Sequence, residues 1–362
     1  MSRKLAFDRL LFSIPVILAL FGVVMIYSAS AVLSMNRYGS PYHHLAKQVS
    51  ALVAGAILMV WAMHFDYRRL RSRAVVLGAL LGVVGLLMLA LVTPSGPVHR
   101  WISLGFFSFQ PSELAKPVLV LFLAAFLDAR AGQVNDLRRT LLPAGVVTGT
   151  FAFLIYMQPD LGTAVSLCLI AAVMLYLAGL DLRYMAAGAA LGFVGILVAV
   201  FQASYRVRRL MTFLNPSEDP LGAGFQIRQS LLSFGSGGIQ GLNLGEGRQK
   251  LFFLPEPHTD FILSVIGEEL GLIGTSAVLL LFALLLWRGC RAALRAPDRF
   301  GYLLGMGLTL FLVIQAALNM GMVLGMMPTK GLPLPFLSYG GSSLMVCLLS
   351  VGVLLNVSQH SN

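Results

Sequence analysis

The chain has 362 residues, of which 57% are hydrophobic and only 11% are charged. Soluble domains carry about 25% charged residues, so this composition excludes an ordinary soluble fold and indicates a membrane protein. The net charge of +11 does not indicate a nucleic-acid partner, because the basic residues lie in short clusters between apolar runs. The three cysteines show no disulfide framework and no metal-ligand spacing.

Ten segments are long and apolar enough to cross the hydrocarbon core, which takes about 20 mainly apolar residues. The first is too long for a signal-peptide core and lacks a cleavage site, so we expect it to be retained. Only residues 158–160 separate the fifth and sixth segments, and this spacing predicts a helical hairpin. The segments run approximately 10–33, 45–64, 74–93, 112–128, 141–157, 161–180, 184–202, 260–287, 301–325 and 339–357.

Lysine and arginine orient these segments, because cytoplasmic connections are enriched in them. With the N-terminus in the cytoplasm, most of the lysines and arginines of the connections, including Arg3 and Lys4, lie on the cytoplasmic side, whereas Lys330 lies on the outer side. Both termini are then cytoplasmic. The expected fold is an all-α polytopic bundle of ten transmembrane helices, forming a single integral membrane domain over 1–362. A large extracytoplasmic loop, 203–259, joins helices 7 and 8.

Two outer segments are too long to be plain connections. Residues 93–111 mix Trp, Phe and Arg, which suits an element lying in the membrane interface. Residues 203–259 are rich in Gly, Pro and charge but also carry apolar side chains, so we expect an ordered segment over the membrane surface. Connections of this length are usually functional or disordered.

Acidic residues in or near lipid require a reason, and three of them open the eighth segment. Asp260 is expected near the outer surface, with Glu268 about 12 Å deeper along a helix. Asp260 is interpreted either as a cap of the helix N-terminus or as a catalytic carboxylate. Glu268 and Glu269 either lock helices together through buried hydrogen bonds or take part in the chemistry.

A second cluster opens the fourth segment, where Glu113 and Lys116 share one helix face at spacing i, i+3. They form either an intrahelical ion pair or a site in which Lys116 and Arg100 bind a substrate phosphate. Asp160 follows Pro159 at a helix start, where capping is the simpler interpretation.

Further basic and glycine-rich residues lie in the large loop. Arg206, Arg208 and Arg209 form either an interfacial basic patch or a site that attracts a pyrophosphate or an anionic lipid. Backbone amides of 233–241 offer a weak candidate for a phosphate cradle. An outer carboxylate beside several cations suits a reaction on an anionic, lipid-attached substrate. The inner connections are too short to build a site for soluble nucleotides.

Six motifs are similar to those of the SEDS family (shape, elongation, division and sporulation), and they occur in the family's order over nearly the whole chain. Residues 246–251 resemble the division branch of the family more than the elongation branch. The motifs are Arg100-Trp101-Ile102, Gln110-Pro111-Ser112-Glu113-Leu114-Ala115-Lys116, Gln158-Pro159-Asp160-Leu161-Gly162-Thr163, Asp219-Pro220-Leu221-Gly222-Ala223-Gly224, Leu254-Pro255-Glu256-Pro257-His258-Thr259-Asp260-Phe261-Ile262 and Ser338-Tyr339-Gly340-Gly341-Ser342.

The resemblance implies a peptidoglycan glycosyltransferase that polymerises lipid II, the undecaprenyl-pyrophosphate-linked disaccharide peptide, at the outer face of the bacterial cytoplasmic membrane. It implies ten transmembrane helices and a class B penicillin-binding protein as partner, beside membrane lipids and other division or elongation membrane proteins. It also suggests a divalent cation, Mg²⁺ or Mn²⁺, but no ligand set can be read from the sequence, so we assign no cofactor.

The resemblance places the catalytic aspartate at Asp260 and supporting roles at Arg100, Glu113, Lys116 and Asp160. To the candidate substrate-binding residues we add three from the large loop, namely Arg206, Arg208 and His258.

Our hypothesis is that Asp260 acts as general base on the sugar 4-hydroxyl of the acceptor. Arg100, Lys116 and Arg206 or Arg208 stabilise the leaving pyrophosphate. A single carboxylate predicts inversion, because a retaining mechanism needs a second one close by.

Two alternatives from other classes stay open, a transporter that flips lipid II and a non-catalytic division scaffold. Transporter sites tend to lie near the membrane midplane, whereas the strongest candidates here cluster at one face. A scaffold leaves the outer polar cluster without a purpose.

Overall fold

A computed structural model describes residues 7–93, 99–105, 107–215, 222–251, 253–329 and 331–360. Arg3, Lys4 and Lys330 of the charge analysis, and residues 219–221 of one motif, lie outside these ranges. Twelve α-helices are described within them: α1 Arg9–Tyr38, α2 His43–His64, α3 Arg73–Val92, α4 Pro111–Asp128, α5 Leu142–Met157, α6 Leu161–Leu177, α7 Leu182–Phe201, α8 Ser204–Leu214, α9 Ala223–Gly237, α10 Ile262–Leu294, α11 Arg299–Val323 and α12 Gly341–Gln359.

The protein is a multi-pass membrane protein. Eight helices within the described ranges are long and apolar enough to cross a membrane, with α5 extended by the π-helical turn Leu137–Leu141. Each of the ten predicted segments coincides with a helix. However, α6 has only 17 residues and α4 contains Glu113, Lys116 and Asp128, so the count of ten spans stays a prediction.

The two connections that the sequence analysis singled out contain regular structure. Residues 203–259 include α8 and α9. Residues 93–111 include a two-stranded antiparallel hairpin, β1 Ile102–Leu104 and β2 Phe107–Phe109, with Ile102 opposite Phe109. The all-α prediction holds for the bundle, and this hairpin is an exception to it. Gly105 has a φ of +77°, a left-handed conformation that glycine adopts without strain, and it lies in the turn between the strands.

Small residues allow the central helices to approach closely. The helix α2 packs along α12. A Cβ at Gly55 would lie 2.7 Å from Leu348 Cδ1, and one at Gly352 would clash with Met59 O. Such small-residue contacts are the usual way in which membrane helices pack, because lipid supplies little hydrophobic driving force between them.

Buried polar groups tie the helix ends together at the end of the bundle remote from the start of α12. Asn356 is fully buried, accepts a hydrogen bond from Tyr67 N at 3.0 Å and donates to Met63 O at 2.8 Å. Asp298 caps α11 by accepting from Gly301 N at 2.7 Å and also accepts from the Tyr67 hydroxyl at 2.6 Å. Asn356 lies about 22 Å along α12 from its first residue.

The long helix α10 is broken at Gly271, where φ is 62° and ψ is −156°. Residues 238–243 insert at the break and replace the missing helical hydrogen bonds. Leu242 N and Asn243 N donate to the carbonyls of Glu268 and Glu269, whereas Leu272 N donates to Gly238 O. Irregular backbone is tolerated at membrane depth only where other groups satisfy it, and here the loop does so.

We expect Gly271→Ala to destabilise the protein by roughly 2–4 kcal/mol. A Cβ at Gly271 would lie 2.5 Å from both Gly241 N and Ile239 O, in a backbone conformation that only glycine adopts readily. Thermal melting in detergent measures the effect. The matched control is Gly82→Ala in α3, where a Cβ meets nothing within 4 Å. Equal melting temperatures for the two variants would contradict this account of the break.

Candidate functional site

Asp260 lies in the turn that precedes α10 and is partly buried. The helix has Phe261 at its cap position, without a side-chain capping hydrogen bond. Within the described ranges, no backbone N–H of α10 donates a hydrogen bond to the Asp260 carboxylate. The interpretation of Asp260 as a helix cap is therefore wrong. The turn is held instead through its backbone, since Asn319 Nδ2 donates to Asp260 O at 2.8 Å.

Four charged groups and burial together set the pKa of Asp260. Burial raises it most, and the negative charge of Asp160 raises it further. Arg209 and Arg100 oppose this rise, while Glu256 adds to it, and the resulting pKa is about 7. A carboxyl group with a pKa near the working pH can accept and release a proton, which is the requirement for a general base.

Arg100 is held near Asp260 by hydrogen bonds to the turn between α5 and α6. Its Nε donates to Gln158 O at 2.7 Å, and its terminal nitrogen donates to Pro159 O. Asp160 caps α6, accepting from Thr163 N at 3.0 Å and from the Thr163 hydroxyl at 2.9 Å. The predicted hairpin turn and the predicted cap are therefore both present, and they bring Asp160 and Arg100 within electrostatic reach of Asp260.

The arginines of α8 have different surroundings. Arg206 donates to Ala199 O at 2.8 Å and lies 4.4 Å from the centre of the Tyr156 ring, so protein groups already occupy it. Arg208 is exposed. Of the three arginines on α8, Arg209 is the one whose charge lowers the pKa of Asp260, and it also donates to Thr329 O at 3.4 Å.

Arg206, Arg208 and Arg209 were considered together as a site that attracts a pyrophosphate, but only Arg206 and Arg208 were predicted to bind substrate. Helical spacing places residues 206 and 209 on one face and so does not distinguish them; the packing of α8 decided that Arg209 acts on Asp260. The substrate-binding roles of Arg206 and Arg208 stay predictions.

Glu113 and Lys116 form an ion pair inside the bundle. Lys116 Nζ lies 2.9 Å from Glu113 Oε1 and donates to Gln315 Oε1 at 2.6 Å, and both charged side chains are 1% exposed. The Lys116 ammonium also lies 5.3 Å from the centre of the Phe311 ring. The intrahelical pair that the spacing predicted is present, and it leaves Lys116 no exposed surface for a phosphate.

His258 is buried between α2 and the turn that precedes α12, with only 2% of its surface exposed. Its ring centre lies 4.5 Å from that of His44 and 5.3 Å from that of Tyr339, and its carbonyl accepts from Tyr339 N at 2.8 Å. Burial, followed by the charges of His44 and Arg37, lowers the pKa of His258 to about 3. The ring is therefore neutral at pH 7 and holds the turn that carries Asp260. Its substrate-binding role stays a prediction.

Glu268 and Glu269 hold the loop that inserts at the break in α10. Glu268 accepts from Arg248 N at 2.8 Å and from Gln249 N at 3.1 Å. Glu269 accepts from Lys250 Nζ at 2.6 Å and from the Ser28 hydroxyl at 2.7 Å. These contacts agree with the interpretation of Glu268 and Glu269 as residues that lock elements together through buried hydrogen bonds. They join α10 to the 248–250 loop as well as to α1.

The glycine-rich stretch 233–241 packs against α10. A Cβ at Gly237 or Gly241 would clash with the backbone of α10, at Gly267 or Glu269 respectively. These glycines allow close backbone approach, and this contact accounts for them without a phosphate. A cavity of about 850 Å³ lies nearby, between α1 and residues 245–251, with Tyr27 and Glu268 in its lining; Asp260 does not line it.

A divalent cation has no evident ligand set in the part of the chain that the structure describes. No group of three or more His, Cys, Asp or Glu side chains there is arranged to hold a metal ion. We therefore derive no step of the reaction through a cation.

Comparisons with known proteins agree in family and fold. A family model described as "Cell cycle protein" and named for FtsW, RodA and SpoVE matches residues 8–362. A probable peptidoglycan glycosyltransferase FtsW of Geobacter sp. (strain M18) is 44% identical over 99% of this chain and 98% of its own length.

Two solved structures share the fold along nearly the whole chain. One is described as "Structural coordination of polymerization and crosslinking by a peptidoglycan synthase complex". It has a TM-score of 0.80 at 30% identity, covering 98% of each chain. The rod shape determining protein RodA of Thermus thermophilus has a TM-score of 0.71 at 29% identity, covering 98% of this chain and 97% of its own. The chain therefore belongs to the SEDS family of FtsW, RodA and SpoVE, and it is closer to FtsW than to RodA.

Proposed function

We propose that this protein is a peptidoglycan glycosyltransferase that polymerises lipid II, and that Asp260 is its catalytic base. The observation that carries the assignment of Asp260 is its partly buried carboxyl group, which does not cap α10. Its pKa is about 7, and the charges of Arg100 and Arg209 act on it. The names of the relatives support the reaction class. The site then lies at the outer face of the bacterial cytoplasmic membrane, with both termini in the cytoplasm and residues 203–259 outside.

The reaction is one displacement at the donor sugar. The 4-hydroxyl oxygen of the acceptor forms a bond to the anomeric carbon of the donor, and the bond from that carbon to the pyrophosphate breaks. The hydroxyl proton passes to the Asp260 carboxylate. We assign to Arg209 and Arg100, whose charges act on Asp260, the stabilisation of the negative charge that grows on the leaving pyrophosphate. Asp160 also acts on Asp260, but both of its carboxylate oxygens accept hydrogen bonds from Thr163, so it is not assigned as a nucleophile and the configuration at the anomeric carbon inverts.

The partner that we propose is a class B penicillin-binding protein, which crosslinks the strands that this chain makes. One structural neighbour comes from a peptidoglycan synthase complex that couples polymerization and crosslinking, and it matches 98% of this chain. The charged residues exposed in the 203–259 segment, such as Glu246 and Arg248, are available to an extracytoplasmic partner.

The transporter alternative has less support from the structure. A path for lipid II through the bundle needs accessible polar side chains, and Glu268 and Glu269 are the acidic side chains within α10 that such a path would use. Each is at most 1% exposed, and each accepts hydrogen bonds from the 245–250 loop. Their carboxylate oxygens already accept hydrogen bonds within the protein, so they do not line an open path.

We expect polymerisation to rise with pH through about 7 and then to level off. A general base acts only when deprotonated, and the pKa of Asp260 is about 7, so the active fraction grows as the pH passes this value. Initial rates of chain growth at limiting lipid II, measured between pH 5.5 and 8.5, test this. A rate that is flat from pH 5.5 would exclude Asp260 as the base in this environment.

The experiment that tests the function uses purified protein with its transpeptidase partner and labelled lipid II, on a gel that resolves glycan chains. We expect polymer from the wild type. If no polymer forms although partner binding and lipid II competence are verified, the transferase proposal fails. A lipid II flipping assay on the same proteoliposomes then decides between the transporter and the scaffold.

A further inference from the structure

The two charged clusters of the sequence analysis, Glu113 with Lys116 and the Asp260 turn, are connected through α11. Gln315 and Asn319 stand at spacing i, i+4 on that helix and therefore share one face. Both side chains are buried, at 1% and 0% exposure. Neither contributed to the family motifs, because each is an isolated amide in an apolar helix.

Each amide binds two partners from different parts of the chain. Gln315 accepts from Lys116 Nζ at 2.6 Å and donates to Pro333 O at 2.9 Å. Asn319 Nδ2 donates to Asp260 O at 2.8 Å and to Leu332 O at 2.7 Å. The two helical amides thus hold the adjacent carbonyls of residues 332 and 333.

Residues 331–333, which we name the strap, also lie against the carboxyl group of Asp260. A Cβ added at Gly331 would be 3.3 Å from Asp260 Oδ2. A shift of the strap would therefore change the immediate surroundings of the Asp260 carboxylate. A continuous series of contacts runs from the Glu113–Lys116 pair through Gln315, the strap and Asn319 to Asp260.

We propose that Gln315 and Asn319 are positioning residues, which hold the Asp260 turn and the strap in the geometry that proton transfer requires. The Glu113–Lys116 pair anchors the far end of the series. Both side chains are buried and act through the Asp260 turn, so neither is assigned to contact the substrate. This inference rests on the proposed function for its kinetic consequences, but the positioning itself is a property of the folded protein.

The need for such positioning follows from the way the turn is built. Asp260 is not locked by a capping hydrogen bond, and a misplacement of 1 Å can reduce a rate by roughly 10²-fold. The charges acting on Asp260 come from Asp160, Arg209, Glu256 and Arg100, and none of these residues is on α11. A neutral substitution at Asn319 therefore changes the geometry and hydration of Asp260 without changing the charges around it.

The test compares Asn319→Leu with the matched control Asn356→Leu. Asn356 is equally buried and also joins backbone segments through its amide, but at the remote end of the bundle. We expect similar losses of melting temperature from both. Asn319→Leu should lower kcat by roughly 10²-fold with little change in KM, whereas Asn356→Leu keeps kcat within about two-fold.

The pH profile separates positioning from a general loss of folded protein. With the turn released, water reaches the carboxyl group and its pKa falls toward the ordinary value, so the acid limb of the rate profile moves to lower pH in Asn319→Leu. The control should keep the wild-type profile. If the two variants lose activity in equal proportion with unmoved profiles, the positioning role is overturned.

Hydrogen–deuterium exchange supplies a readout that does not depend on activity. We expect faster exchange in peptides covering 257–262 and 332–338 in Asn319→Leu, and unchanged exchange there in Asn356→Leu. If exchange is faster in Asn319→Leu but the wild type makes no polymer, the proposed polymerase function is refuted and the positioning role stands. If exchange is unchanged in Asn319→Leu, the positioning role alone is overturned. Should Asn319→Leu fail to insert, Gln315→Met removes the donor to Pro333 O and must show the same exchange pattern around the strap.

Discussion

Asp260→Asn is expected to abolish lipid II polymerisation and, above pH 7, to raise the melting temperature by roughly 3 °C or more. The activity is lost because an amide cannot accept the proton. The stability rises because the wild type must hold a carboxylate where burial and Asp160 disfavour its charge, and an amide of the same shape is neutral.

The pH dependence of this stabilisation follows from the direction of the pKa shift. The folded protein binds the proton of Asp260 more tightly than the unfolded chain, since the pKa is about 7 against 3.8. Wild-type stability contributed by this group therefore falls as the pH rises from about 4 to about 7. The advantage of Asp260→Asn should be small near pH 5 and complete above pH 7.5.

The measurements are thermal melting at both pH values and the gel assay of chain growth. The control is Asp136→Asn, an aspartate that caps residues 137–141 far in sequence from the site. It should keep its activity and gain no stability at high pH. Chain growth at the normal rate by Asp260→Asn would refute the assignment of the base.

Lys116→Met is expected to have the second largest effect, a destabilisation of about 3–5 kcal/mol together with loss of activity. The substitution leaves Glu113 charged and unpaired inside the bundle, where both side chains are 1% exposed. Thermal melting and the yield of inserted protein measure the loss.

The double variant Glu113→Gln with Lys116→Met separates the contribution of the ion pair to stability from its role as the anchor of the strap. Removing both charges should restore most of the melting temperature, because no unpaired charge remains buried. Activity should stay at least about ten-fold low, since methionine cannot donate to Gln315 and the strap loses its anchor. Full recovery of activity would show that the pair serves only stability and that the strap needs no anchor at Lys116.

Helices and turns followed from local sequence. All ten predicted segments coincide with helices, because an apolar run of sufficient length has its backbone satisfied within the segment. The turn at 158–160, the cap at Asp160 and the Glu113–Lys116 pair were predicted for the same reason, since their partners lie within four residues.

The break in α10 was not predicted. Gly271 lies in an apolar run that has helical composition throughout, and its conformation depends on a loop some 30 residues earlier that supplies hydrogen bonds at the break. Likewise, the glycines of 233–241 resembled a phosphate cradle in the sequence, and their close contact with α10 became evident only in three dimensions.

The sequence by itself determined the membrane class, the helical segments and the identity of the acidic residue at the start of α10. Lipid imposes length and hydrophobicity on each segment separately, so the local sequence is enough to predict where the helices are. The tertiary structure alone decided that Arg209 acts on Asp260, that His258 is buried, and that Gln315 and Asn319 join Lys116 to the Asp260 turn. Lys116 and Gln315, for example, are 199 positions apart in the sequence. The physical reason is that the packing of whole helices, which no local pattern encodes, sets the distances between such residues.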